Sequence, residues 1–197
     1  MMVLRRVKTP LVSMLFLAAA TALAHAQVAI YGTFSPIHIS GVASGHSSTG
    51  GYSTSSYWAE GFGGGVTLTA LNLGLVSLGI DLRGSTRPGT QGADTVLAGL
   101  KVGFHPPLLP IKPYVQFSGG YLGTRGGVTT GAAVGSANPQ HFAAYEILGG
   151  LDYSVFPLID LRVVEVGAGH GYFFSGANNN DPNVSFITIN TGIVVHF

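Results

Sequence analysis

The last thirteen residues, Ser185-Phe-Ile-Thr-Ile-Asn-Thr-Gly-Ile-Val-Val-His-Phe197, constrain the fold more than any other segment. Taken in steps of two, Phe197, Val195, Ile193, Thr191, Ile189 and Ile187 share one side, and His196, Val194, Gly192, Asn190 and Thr188 share the other. A period of two with one apolar face and one small or polar face is a β-strand in contact with two different environments. A closed barrel in a membrane requires such a strand at its end. Its last strand must pair with its first, because an open edge in lipid leaves backbone donors and acceptors without partners.

The N-terminal end reads as an export signal. Arg5, Arg6 and Lys8 precede an apolar run from Leu11 to Ala24, and Ala24-His25-Ala26 places small residues three and one before a cut between Ala26 and Gln27. The run is shorter than the roughly 20 residues a spanning helix needs, so a cleaved signal peptide over 1–26 is expected rather than a retained anchor. The chain has no Cys, which removes lipoprotein processing, disulfides, thiolate metal sites and thiol catalysis. Without Arg5, Arg6 and Lys8, six basic residues face eight acidic ones, a net charge of −2. There is no basic stripe for nucleic acid. No stretch after residue 26 is long enough for a spanning helix, and 27–197 is the length of one domain.

Gly, Pro and Asn clusters divide 27–197 into eight alternating segments, near 28–40, 58–71, 75–84, 94–105, 112–123, 141–154, 160–170 and 185–197. Most are close to the 9–11 residues of a tilted membrane strand. The connections after the second, fourth and sixth are short: Asn72-Leu73-Gly74, Pro106 to Ile111 and Val155 to Ile159. Those after the first, third, fifth and seventh are longer and polar: Gly41 to Tyr57, Ser85 to Ala93, Thr124 to Gln140 and Gly171 to Val184. The expected fold is all-β, an eight-stranded antiparallel up-and-down transmembrane barrel with short periplasmic turns and longer extracellular loops.

The faces distinguish a membrane barrel from a soluble one. Val76, Leu78, Ile80 and Leu82 oppose Ser77, Gly79, Asp81 and Arg83. Val96, Ala98, Leu100, Val102 and Phe104 oppose Thr95, Leu97, Gly99, Lys101 and Gly103. A soluble lipocalin-like barrel would turn the apolar face inward around a ligand. Small residues mixed with opposite charges suit a narrow lumen instead, and a Lys facing lipid at mid-depth costs about 2–4 kcal/mol. Lys101 therefore marks the inside. Trp58, Phe62, Phe104, Tyr121, Phe142, Tyr153, Phe156 and Phe197 lie near strand ends, as in two interfacial girdles.

In this pattern the chain resembles the small eight-stranded outer-membrane β-barrels of the OmpA/OmpX type over 27–197. The terminal Gly192-Ile-Val-Val-His-Phe197, with Ile193, Val195 and Phe197 in register, is similar to the C-terminal signal read by the barrel-assembly machinery. The resemblance implies an outer-membrane location reached through periplasmic chaperones. Contact with membrane lipid and lipopolysaccharide, a monomeric state and no cofactor are expected beside it. It implies no single activity, because such barrels serve many functions.

Inward-facing charges are the first candidate constellation: Asp81, Arg83, Lys101, Glu146, Asp152, Arg162 and Glu165. An eight-stranded barrel has an interior only wide enough for side chains, so these charges must pair or be wetted. An ion-pair plug that braces the barrel is the expected role, and a narrow channel for small solutes is the alternative. Pairing about the Pro106–Ile111 turn sets Lys101 near Gln116, and Asp152 falls opposite Arg162. Arg162 and Glu165 are three apart, so both face inward only if Val163-Val164 forms a bulge; the other solution is Arg162 snorkelling at the rim.

Around Gly169-His-Gly-Tyr-Phe-Phe-Ser175, comparison with outer-membrane lipid A deacylases meets an obstacle. Those carry His and Ser two apart on one strand face, whereas the residue two after His170 is Tyr172, and Ser175 is five away. The Asn178–Asn183 run reads as turn chemistry rather than a calcium site. The remaining histidines outside the leader show no ligand spacing: His38, His46 and His141 toward the outer side, His105 and His196 toward the periplasmic rim. The chain is therefore expected to be non-catalytic and metal-free, with a structural or surface-interacting role. Protein recovered from outer membranes is expected to have an intact mass that begins at Gln27; a mass retaining residues 1–26 contradicts the leader.

Overall fold

A computed structural model describes residues 27–46, 52–125, 140–173 and 183–197. The expected leader with its Ala26–Gln27 junction, Ser175 and most of the Asn-rich run lie outside the described residues. Ten strands form one antiparallel sheet: β1 (Gln27–Phe34), β2 (Ile37–His46), β3 (Tyr52–Ala59), β4 (Phe62–Asn72), β5 (Val76–Arg87), β6 (Ala93–Phe104), β7 (Ile111–Thr124), β8 (Gln140–Phe156), β9 (Ile159–Phe173) and β10 (Val184–His196). β10 pairs with both β1 and β2, and β4 and β3 pair with β1 and β2 in turn. β1–β2 and β3–β4 are thus two interrupted staves, and the sheet is a closed eight-stave barrel. Among the described residues there is no helix.

Closure runs from Ala29↔His196 to Phe34↔Thr191, and the amide of Phe197 donates to the carbonyl of Val28 at 2.8 Å. No edge is left between the first and last staves. The interruption in the first stave falls at Ser35-Pro36, where Pro has no N–H for the ladder. Cross-stave bonds replace the missing rungs: Ser35 donates to the carbonyl of Gly61 and Ile189 to that of Pro36.

The period-two faces emerge as expected on β5, β6 and β10. Ile80, Leu82, Leu100, Val96, Ile187 and Ile193 are exposed on the exterior. Asp81, Thr95, Thr188 and Asn190 are buried in the lumen. A barrel with an apolar exterior and a polar-lined interior is the inverse of a soluble ligand-carrying barrel, and the exterior is suited to acyl chains. Trp58, Phe62, Phe104, Tyr153, Phe156 and Phe197 lie exposed near strand ends. Phe142 does not join them. It points into the lumen and is 0% exposed, because on β8 it shares the inward parity of Glu146.

Two of the four connections expected to be long are shortened by strand. Gly41 to Tyr57 is mostly strand, since β2 runs to His46 and β3 starts at Tyr52, with a bulge at Gly41 (φ +90°). β5 extends to Arg87, which leaves only 88–92 between it and β6. That connection is no longer than 105–110 at the other end, because Ser85, Thr86 and Arg87 continue the ladder opposite Thr95, Asp94 and Ala93. The short turn after β4 follows its residues: Asn72 Oδ1 accepts from the amide of Gly74, whose φ of +80° favours glycine.

On β9 the bulge is present. Leu151 pairs with Val164 and Asp152 with Arg162, so Val163 has no partner on β8. Val163 and Val164 both face out, and Arg162 and Glu165 both face in. Arg162 is 0% exposed and does not snorkel. Deleting Val163 is expected to turn one of these charges toward lipid, at about 2–4 kcal/mol for an Arg at the midplane. The heat-dependent gel shift of the folded barrel should then be lost, and an unchanged shift contradicts the bulge.

Candidate functional site

The lumen is filled in layers. All eight staves contribute to the middle layer through β1, β4, β5, β6, β7, β8, β9 and β10. Asp81, 0% exposed, accepts from Thr67 Oγ1 at 2.7 Å, Tyr31 Oη at 2.9 Å, Gln116 Nε2 at 2.9 Å and Arg83 Nε at 3.0 Å. Arg83 continues across the barrel to Glu165, with Nη1 at 2.8 Å from Oε1. Glu165 also accepts from Tyr114 Oη at 2.5 Å and Asn190 Nδ2 at 2.7 Å. Arg162 lies between two carboxylates: Nε donates to Asp152 Oδ1 at 3.0 Å, and Nη1 stands 3.2 Å from Glu165 Oε2. Lys101 closes the chain of alternating charge, 3.7 Å from Asp152 Oδ2 and 3.8 Å above the Tyr114 ring.

Two tyrosines make this layer compact. Tyr31 lies opposite Gly65 and Tyr114 opposite Gly150, and a Cβ at either glycine would collide with the facing ring. The rings lie across the glycines, and the guanidinium of Arg162 stacks 4.4 Å from Tyr31 and 5.1 Å from Tyr114. Asp81, Arg83, Asp152, Arg162 and Glu165 are thereby each paired and hydrogen-bonded, the condition under which burial of ions is tolerated.

Six of the seven charges expected inside belong to this network; Glu146 is separate. It is 2% exposed, but its hydrogen bond is from Thr188 Oγ1, and no cation lies within ion-pair distance among the described residues. A cavity of about 20 Å³, one water in size, is lined by Glu146, Arg83, Arg87 and Glu165. Glu146 stands higher on β8 than the ion-pair chain, and that space separates it from Arg87. Lys101 does fall in register with Gln116, as expected from the hairpin, but its ion pair is with Asp152.

Arg87 lies beyond the third segment expected from the sequence and adds a further charge to the lumen. On the longer β5 it shares the inward parity of Asp81, Arg83 and Ser85. It donates Nε to the Ser35 carbonyl at 2.7 Å, Nη2 to Ser35 Oγ at 2.8 Å and Nη1 to Ser85 Oγ at 2.8 Å. Its role is to satisfy the carbonyl exposed by the Ser35-Pro36 interruption.

Above the charges, at the long-loop end, the lumen is apolar. Ile37, Ile39, Tyr57, Leu97, Leu122, Phe142, Val184 and Phe186 form one buried cluster, with Phe173 edge-on to Phe142 at 5.7 Å. Below them, at the short-turn end, Asp160 accepts from Lys112 Nζ at 2.8 Å and pairs with His196 Nε2 at 2.7 Å. His105, in the turn after β6, borders the same cavity as His196. Burial, then Lys112 and Lys101, hold its imidazole below the usual value.

His170 lies on β9 rather than in a loop, on the outward face between Tyr145 and Tyr172. Its Nδ1 is 3.1 Å from Ser185 Oγ on β10. Glu165 faces the lumen and so does not orient His170. No group of His, Asp and Glu that could hold a metal occurs among the described residues.

The chain is similar to the N-terminal β-barrel domain of OprF from Pseudomonas aeruginosa, at 13% identity over 87% of this chain and 97% of that one, with a TM-score of 0.50. It is also similar to Neisserial surface protein A, at 19% identity over 86% and 99% of the two chains and a TM-score of 0.45. For OprG from Pseudomonas aeruginosa the identity is 11%, over 87% and 95%, with a TM-score of 0.48. No family model and no curated protein matches the chain. The fold is that of a small outer-membrane β-barrel.

Glu165→Gln is expected to destabilise the folded barrel by about 3–5 kcal/mol in urea unfolding, because Arg83 and Arg162 lose a shared buried counter-ion. A loss under 1 kcal/mol contradicts the network as the internal brace.

Proposed function

We propose that the protein is a sealed outer-membrane β-barrel whose role is structural and surface-interacting, adhesion-like, and not catalytic. The observation that carries this reading is the layered lumen. An ion-paired layer joined to all eight staves lies beneath an apolar layer built on Phe142, Phe186, Ile37 and Ile39. A solute entering from the long-loop end would have to strip its water against apolar side chains before reaching the ion-paired layer, whose central charges Asp81, Arg83, Glu165, Arg162 and Asp152 already engage one another.

With the interior closed, the surfaces left for function are the exterior belt and the long-loop end. The belt suits lipid and lipopolysaccharide contact through its apolar band and the aromatic group of Trp58, His38, Tyr145, His170 and Tyr172. The separation of Glu165 from His170, on opposite faces of β9, supports a non-catalytic reading. The terminal strand, with Ile193, Val195 and Phe197 on its outward face, suits delivery by periplasmic chaperones and insertion by the barrel-assembly machinery.

Replacing 126–139 by a short Gly-Ser connection tests the surface role in whole cells. Cells producing the intact protein should adhere more to a coated surface than cells lacking it. The shortened variant should return adherence to background while its outer-membrane amount and gel shift stay unchanged. Equal adherence in all three contradicts a surface role for that end of the barrel.

A further inference from the structure

At the short-turn end of the lumen the filling is incomplete. A cavity of about 60 Å³ lies there, bordered by Ser77, Lys101, His105, Lys112, Asp160 and His196. That is room for several water-sized groups, against one for the cavity beside Glu146.

Its hydrogen-bonding capacity is lopsided. Asp152 is engaged by the guanidinium of Arg162 at 3.0 and 3.4 Å, so the ammonium of Lys101 is left at 3.7 Å. This is the one ion-pair contact of Lys101 among the described residues, and its other neighbour is the face of Tyr114, which accepts no ordinary hydrogen bond. An ammonium carries three donors, and the Lys101 side chain is only 15% exposed. Lys112 gives one N–H to Asp160 and keeps two. Asp160 Oδ2 already receives both Lys112 and His196. His105 Nδ1 is buried with no partner among the described residues. Lysine donors without acceptors among the described residues therefore face a partly enclosed space beside the unpartnered His105 Nδ1, and the two carboxylates near it are each engaged.

We propose that this cavity is a binding site for a small tetrahedral oxyanion of the phosphate class, held by Lys101 and Lys112 with His105 and Ser77 at its edge. A cation would meet two ammonium groups, and the two carboxylates in the lining, Asp152 and Asp160, already bond Arg162, Lys112 and His196. An apolar guest would leave the Lys101 ammonium unsolvated. A tetrahedral oxyanion offers several acceptors at once, which is what unspent ammonium donors require. With the short turns on the periplasmic side, as the sequence leads one to expect, the cavity opens toward the periplasm, where both free phosphate and the phosphate of a lipid headgroup are presented.

The test is calorimetric titration of the refolded protein, in octyl glucoside and phosphate-free buffer at fixed ionic strength, with inorganic phosphate and with glycerol 3-phosphate. Saturable one-site binding is expected. Lys101→Met should weaken it at least tenfold and Lys112→Gln severalfold, with Arg125→Gln on the opposite rim as an unaffected control. Tighter binding of inorganic phosphate assigns the site to the free ion, and tighter binding of glycerol 3-phosphate assigns it to a headgroup. Folding of each variant is read from the heat-dependent gel shift. If Lys101→Met does not fold, Lys112→Gln, at the cavity's more exposed edge, decides. Absence of saturable binding by either probe overturns the proposal, as does binding that survives substitution of the lysines.

Discussion

The Arg83–Glu165 pair spans the lumen from β5 to β9, staves on opposite sides of the barrel, and the interior is organised around it. Its geometry depends on the bulge at Val163, which turns Glu165 inward without turning Arg162 out. With both inside, carboxylates and cations alternate from Asp81 through Arg83, Glu165, Arg162 and Asp152 to Lys101. Pairs of this kind contribute little net stability relative to an apolar filling, but breaking one strands a buried charge. The network therefore specifies register: a stave that slipped by one residue would carry its charge to the lipid face and leave its partner alone.

Parity was legible in the sequence, and depth was not. Alternation on β5, β6 and β10 assigns Asp81, Lys101 and Asn190 to the inside, and the three-residue spacing of Arg162 and Glu165 leaves a bulge or a snorkelling Arg162 open, of which β9 has the bulge. Phe142 was placed in the aromatic girdle because it is an aromatic near a strand end, yet its even-number spacing from Glu146 puts it in the lumen. The inward face changes from polar to apolar along β1–β2, from Thr33 and Ser35 to Ile37 and Ile39, and local pattern does not say at what height that change occurs. Arg87 escaped notice because Ser85-Thr86-Arg87 reads as loop; only the partner strand shows that it is ladder. Partner choice among the charges was the least accessible part, since it depends on side chains from staves that are far apart in sequence. Tyr31, Tyr114 and Asn190 entered the site by that route.

The two ends of the lumen differ in a way that bears on function. The long-loop end is closed by apolar side chains packed against one another, and the short-turn end holds a small polar cavity with spare donors. A conduit would need wettable surface from end to end. In the proposed reading the interior is a brace with a polar pocket at its short-turn end, and the exterior is the surface that meets lipid and the cell's surroundings.

Single-channel recording of the refolded protein in a planar bilayer tests the sealed lumen most directly. The account predicts silence from protein confirmed as folded, and a leak only when the apolar layer is thinned by the double substitution Phe142→Ala and Phe186→Ala. Discrete, reproducible conductance steps from the unaltered protein, changed by neutralising Lys101 or Asp81, would contradict it and make the lumen a pore.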